Sequence, residues 1–315
     1  MIHEYALEPK LVITWVDRHV GRFFIEKFGL GQPRIVSRYP KRWKKLVWAA
    51  FENASTGSNE IERKRMEELV ERLGETMVKR RDGRWNSDAA WLDNAEDEHR
   101  RVPFAAILAR SNPRRHQDVL VADELDDATP LWSKARGQSV IRSASAMATA
   151  VAGMLRSARV VIFVDPHFGP EKPRYREPLR EFLRVMVDAR PGEAPCRIEF
   201  HSAAAGSGRA TLEYFNEQCA ARLPACVPRG LRVAVVRLGE RPGGERMHNR
   251  YILTELGGVT FGVGLDAGDE GDSDDVQLLD RAQYEERWRQ YASEARVFDR
   301  PEPPITIVGT SRRRS

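Results

Sequence analysis

The chain has 315 residues, 41% of them hydrophobic and 31% charged. That is length for about two domains and too much apolar content for wholesale disorder. Lys plus Arg total 51 against 46 Asp plus Glu, and Arg312, Arg313 and Arg314 supply three of the resulting +5, so a polyanion has to be met by a local patch.

Residues 1–130 read as a basic, Trp-rich domain, mostly helical and of α+β type. Within it, Arg34, Arg38, Lys41, Arg42, Lys44 and Lys45 are interleaved with Tyr39, Trp43 and Trp48, and no acidic residue interrupts them. Cations among aromatics suit a phosphate backbone with stacked bases. The competing reading is a helix whose Trp face is core and whose Lys face is solvated. Ser58 to about Lys79 is predicted as an amphipathic helix, with Ile61, Met66, Leu69, Val70 and Leu73 on its apolar side. Breaker residues around Asp126 to Pro130 place a domain boundary there.

Residues 139–300 alternate apolar runs with amphipathic segments, which predicts an α/β domain with a mixed sheet flanked by helices. Ser139 to Ser157 is expected as a helix, 158–165 as a strand stopped by Pro166, and Tyr175 to Ala189 as a helix. A strand over 197–203, a helix over 212–223 and a strand over 231–238 follow. Two more strands flank a Gly257-Gly258 turn, a helix closes the domain at 284–295, and 301–315 is a basic tail. The Gly206-Ser207-Gly208-Arg209 stretch lacks a complete phosphate-loop pattern and reads as a flexible loop.

Two absences narrow the setting. The longest nearly apolar stretch, Ala146 to Leu155, is shorter than the roughly 20 residues of a membrane helix, so a membrane partner is not expected. The opening MIHEYALEPK carries no secretory pattern, and Cys196, Cys219 and Cys226 form neither CxxC nor paired Cys/His spacing. A reducing, cytoplasmic protein without metal or cofactor is the expectation.

The window Met247-His248-Asn249-Arg250-Tyr251-Ile252-Leu253-Thr254-Glu255, followed by Gly262-Val263-Gly264-Leu265-Asp266, carries the most chemistry. On a strand, His248 and Arg250 would share one face. An imidazole beside a guanidinium suits attack on a phosphoryl group and neutralisation of its charge. The spacing resembles the HKD motif of the phospholipase D superfamily, with Arg250 at the Lys position, Glu255 at the Asp position, Val263 at the Ser position and Asp266 at the Asn position. VVIFVDPHFGP followed by REPLREFLRVM resembles one branch more closely: the phospholipase-D-like domain C-terminal to MIT domains, and its prokaryotic relatives.

This resemblance, over roughly residues 139–296, implies a site built from His248, Arg250 and Glu255, supported by Asp165, His167 and Asp266. With one such window per chain, it implies a homodimer. The expected function is a metal-independent phosphodiesterase, a nuclease acting on nucleic acid in defence against phage or plasmids, with a possible protein partner from a defence operon. The alternative is a non-catalytic scaffold module that keeps the anion pocket and binds nucleic acid or protein. Residue by residue, other readings stand open: His248 as a hydrogen-bonded strand residue, Arg250 as an ion pair with Glu255 or Asp266, and Asp165 as a cap after its strand. The acidic run Asp266, Asp269, Glu270, Asp272, Asp274 and Asp275 lacks EF-hand order and reads as a solvated loop.

Overall fold

The computed structural model describes residues 1–54, 60–81, 84–204, 211–292 and 297–311. The chain divides into two compact units, Ile2–Arg136 with Arg190–Glu193, and Gly137–Ala189 with Ala194–Ser315 and Met1. The Gly206–Arg209 stretch, the Ser58-Asn59 helix start and the Arg312–Arg314 tail lie outside the described residues.

The N-terminal unit is mostly helical, as expected, but its strands form one parallel sheet, which corrects α+β to α/β. Its strands are β1 (His3–Leu7), β2 (Arg34–Arg38), β3 (Val78–Lys79), β4 (Ala106–Ala109) and β5 (Val119–Val121). All pair in parallel, in the order β3-β2-β1-β4-β5. Helices α1 (Pro9–Val12), α2 (Arg18–Ile25), α3 (Trp43–Ala54), α4 (Glu60–Glu75) and α5 (Trp91–Arg101) lie in the connections up to β4, and a loop joins β4 to β5. Strands covered on both faces lose the period-two alternation that identifies them in sequence: β4 is a short continuous apolar run, and β1 buries the charged Glu4 along with Tyr5, Ala6 and Leu7.

The core of this unit is aromatic. Trp15, Trp43 and Trp132 are fully buried, with Tyr5 and Phe28 meeting Trp132 edge-on. The Trp43 Nε1–H donates to the Leu7 carbonyl at 2.6 Å, which ties α3 to the end of β1. In α4, Met66, Leu69, Val70 and Leu73 are buried as the periodicity predicts, whereas Ile61 is exposed. The helix stops at Glu75, and Val78–Lys79 leave it to pair with β2. Arg80 follows, its guanidinium wholly buried between Glu4 at 2.7 Å and Glu98 at 3.0 Å and stacked 3.7 Å from the Phe104 ring.

The C-terminal unit holds one eight-stranded mixed sheet. In chain order its elements are β6 (Gly137–Ile141), α6 (Ala144–Ser157), β7 (Val160–Val164), α7 (Pro173–Val187), β8 (Arg197–Ala203), α8 (Leu212–Arg222), β9 (Arg232–Leu238), β10 (Arg250–Thr254), β11 (Gly257–Phe261), β12 (Ser273–Leu278), α9 (Arg281–Tyr291) and β13 (Ile305–Val308). The order is β13-β9-β8-β7-β10-β11-β12-β6, with β7, β8 and β9 parallel and the other pairings antiparallel. An α/β architecture with a mixed sheet flanked by helices is therefore present.

Among the segments that differ from expectation, the hairpin turns at Glu255-Leu256, with Gly257 and Gly258 inside β11. Residues 139–141 belong to β6, because Ser143 caps α6 through the Ala146 N–H and fixes its start there. The acidic run contributes β12, whose alternate residues Asp274, Val276 and Leu278 are buried. The segment taken as a tail supplies β13, which pairs with β9 from Ile305 to Val308.

Sheet register decides what faces what. Phe163 on β7 pairs with Phe200 on β8, and both rings stack in a row with Phe182 of α7. The opposite face carries Tyr251, Val164 and His201 toward α9, where Tyr291 packs near the last. On β8, Glu199 links Arg197 at 2.7 Å to the wholly buried His201 at 2.7 Å. Burial alone would raise the Glu199 carboxyl, but His201 and Arg197 pull it down to about 2. The same burial holds the His201 imidazole below its ordinary value.

Candidate functional site

The site assembles where β7, β8 and β9 end and β10 begins. Tyr251 pairs with Val164, so one step further along the ladder Arg250 stands opposite Asp165. Ser202 pairs with Arg237 on β9. By alternation, Arg237, Ser202, Asp165 and Arg250 form a row on the α7 face, two residues beyond the Phe163–Phe200 pair. In open α/β sheets, ligands settle outside the carboxyl ends of the strands.

Asp165 is the buried anion of this row. Its carboxylate accepts the N–H of His167 at 2.8 Å and of Leu265 at 2.9 Å. Burial raises its affinity for a proton, while those two N–H groups and the charge of Arg250 oppose that rise. The cap reading of Asp165 thus holds, and a charge role is added to it. Arg250 is half-buried, and its Nε is buried with no hydrogen-bond partner among the described residues. Neither ion pair considered for Arg250 forms.

Asp266 is engaged elsewhere. Arg142 reaches its Oδ1 at 2.8 Å and Arg174 its Oδ2 at 2.6 Å. Gly264 is glycine because a Cβ there would collide with this carboxylate. Asp274 is buried as well and accepts the Gly262 N–H at 2.9 Å and the Val263 N–H at 3.1 Å. The Gly-Val-Gly-Leu-Asp segment is therefore folded onto two buried carboxylates, which corrects the solvated-loop reading at Asp266 and Asp274. Asp269, Glu270, Asp272 and Asp275 are exposed. No group of His, Cys, Asp and Glu suited to a metal occurs among the described residues.

Two assignments from the window need correction. His248 does not lie on the strand: β10 starts at Arg250, and His248 is exposed in the preceding segment, its N–H donating to the Arg246 carbonyl. Its Nδ1 lies 3.5 Å from Asn249 Oδ1. Glu255 sits at the opposite end of β10, about 16 Å from Arg250 at the strand rise of roughly 3.3 Å per residue. There it accepts the N–H groups of Arg159 at 2.6 Å and Val160 at 2.9 Å, capping the start of β7. The motif spacing is preserved, but in this sheet it puts the acid on the wrong edge. His167 is exposed just past Asp165, on the same edge as Arg250.

Ser202 and Arg237 were not identified from the sequence. Ser202 donates to the Phe168 carbonyl at 3.4 Å. Arg237 lies 5.0 Å from the Phe215 ring, donates to the Ala204 carbonyl and stands 3.6 Å from Glu302. A charged residue within the apolar run of β9 was the available signal.

The basic segment at 34–48 separates into core and surface. Arg34 is buried, donating to the Trp132 carbonyl and lying 4.2 Å over its ring, so it is withdrawn from any nucleic-acid surface. Tyr39 and Trp43 are core residues, not stacking platforms. Arg38 is half-buried, with its Nε on the Lys41 carbonyl at 2.8 Å. Lys41, Arg42, Lys44 and Lys45 are exposed around the first turn of α3.

Comparison with family models, with curated proteins and with solved structures gives no match. No helix among the described residues is long and apolar enough to cross a membrane.

Proposed function

We propose that this chain is a phospholipase D-like protein that engages a phosphodiester of nucleic acid at the edge formed by His248, Arg250 and His167. The observation that carries the reading is Arg250: a guanidinium at the carboxyl edge of the sheet, with a buried Nε lacking a hydrogen-bond partner among the described residues. An unsatisfied buried donor costs about 1–3 kcal/mol, and an anionic oxygen placed there would recover it. Exposed Lys41, Arg42, Lys44 and Lys45 add a basic surface on the N-terminal unit.

Cleavage, as a nuclease in anti-phage or anti-plasmid defence, would proceed without metal through His248 in a homodimer. One imidazole would attack phosphorus while the P–O bond to the leaving alkoxide breaks. The imidazole of the second copy would protonate that alkoxide, and water would then release the phosphohistidine. A specific observation favours the second reading, non-catalytic capture: among the described residues no carboxylate is hydrogen-bonded to His248, and Glu255 caps the other end of β7. The test is gel-shift and cleavage assays in EDTA on linear, supercoiled and single-stranded substrates. Cleavage lost in His248→Ala supports the nuclease. Salt-sensitive binding without turnover, weakened in Arg250→Ala, supports capture. Binding indifferent to Arg250→Ala removes both.

A further inference from the structure

The N-terminal parallel sheet has a second carboxyl edge. Its order β3-β2-β1-β4-β5 grows outward in two directions from the β1/β4 pair, and such a reversal is where open parallel sheets hold ligands. Glu8 and Arg110 stand directly over it, the Glu8 carboxylate accepting the Arg110 N–H at 2.8 Å and its Nε–H at 3.0 Å. Glu8-Pro9 follows β1 where a dinucleotide site needs a glycine-rich turn, so a pyrophosphate has no cradle here.

Beside that bridge, past the ends of β4 and β5, opens a pocket of about 540 Å³, within the roughly 300–1,000 Å³ range of small-molecule sites. Leu120 and Leu125 supply apolar wall, Ser111 a hydroxyl, Arg110 and Arg115 guanidiniums, and Glu124 a carboxylate. The Arg110 side chain is oriented through Nε, leaving its Nη groups to meet a ligand. Arg115 holds a left-handed backbone at φ 53°, costly for a side-chain-bearing residue. The loop is braced by Asn112, which donates to the His116 and Val119 carbonyls at 2.9 and 3.1 Å and accepts the His116 N–H at 2.9 Å. Neither Arg115 nor Glu124 makes a side-chain ion pair among the described residues.

We infer that this pocket binds a small organic phosphomonoester of nucleotide size, its phosphate between Arg110 and Arg115, its organic body against Leu120 and Leu125, and a hydroxyl on Glu124. Two guanidiniums match a dianionic phosphate, and a carboxylate in the same lining selects a neutral, hydroxyl-bearing body over a second anion. This site is independent of the phosphodiester reading and lies in the other unit.

The test is calorimetric titration of the full chain at low salt with the common nucleoside 5′-monophosphates, the parent nucleosides and inorganic phosphate. At least one monophosphate is expected to bind, its nucleoside to fail, and Arg115→Gln to weaken binding at least about tenfold with no change in melting temperature. Binding is expected to survive Arg250→Ala. No binding by any monophosphate at millimolar concentration would overturn the assignment. So would equal affinity for inorganic phosphate, indifference to Arg115→Gln, or loss in Arg250→Ala instead.

Discussion

Several of the buried charges among the described residues are paired. Arg80 sits between Glu4 and Glu98 with its side chain fully enclosed. Removing one partner of such a group leaves an uncompensated charge, which costs about 3–5 kcal/mol. Arg80→Ala is therefore expected to lower unfolding free energy in urea by that amount, and a loss below about 1 kcal/mol would show the pairing to be idle. Glu199 gives a pH-dependent case. Its folded value, about 2, lies below the unfolded carboxylate value, so its contribution is present above about 4.5 and is lost as pH falls toward 2. The lowered imidazole of His201 adds a loss with falling pH that begins nearer its ordinary value. Urea melts of the wild type are expected to weaken across the acid window, and Glu199→Gln to flatten the lower part of that decline. Arg250 differs from Arg80 in that its buried Nε has no hydrogen-bond partner among the described residues, as holds also for the Nε of Arg142, Arg156 and Arg176; what sets Arg250 apart is its place beside Asp165 at the carboxyl edge of the sheet.

At the scale of elements, capping and register explain what the sequence made legible. The strand over 197–203 agrees with β8 residue for residue, because Arg, Glu and His alternate there with apolar neighbours. Helix α9 starts at Arg281, ahead of the expected residue 284, because Asp280 and Gln283 form a reciprocal capping box, and Asp280→Ala is expected to cost about 1 kcal/mol in thermal or urea unfolding. The strands β1, β2 and β4 were hidden because burial on both faces erases alternation, and cations at both ends of β2 mimic a solvated segment. In the window around His248, spacing was legible and direction was not: a strand five residues long carries Arg250 and Glu255 to opposite edges of the sheet. The strand β13 shows the same limit. Its Thr306 and Val308 are exposed, so four residues gave no period to detect, yet they cover the edge of β9. Truncation after Arg300 is expected to expose that edge and lower the melting temperature by several degrees, with aggregation on heating. An unchanged melt would show that β9 does not need the strand.

Across the whole molecule, a net charge of +5 on 315 residues cannot attract a polyanion by itself, so affinity has to come from particular residues. Exposed Lys41, Arg42, Lys44 and Lys45 are expected to act by charge alone, since the aromatics between them are core or half-buried. Arg250 is expected to act by position, through a half-buried guanidinium near the buried Asp165 carboxylate. The most direct measurement is the affinity of the full chain for a short labelled oligonucleotide across a salt series, for wild type and Arg250→Ala. The account predicts binding that falls as salt rises, with Arg250→Ala weaker by about tenfold at every salt concentration and unchanged in its melt. Equal affinity of the two proteins across the series would contradict it.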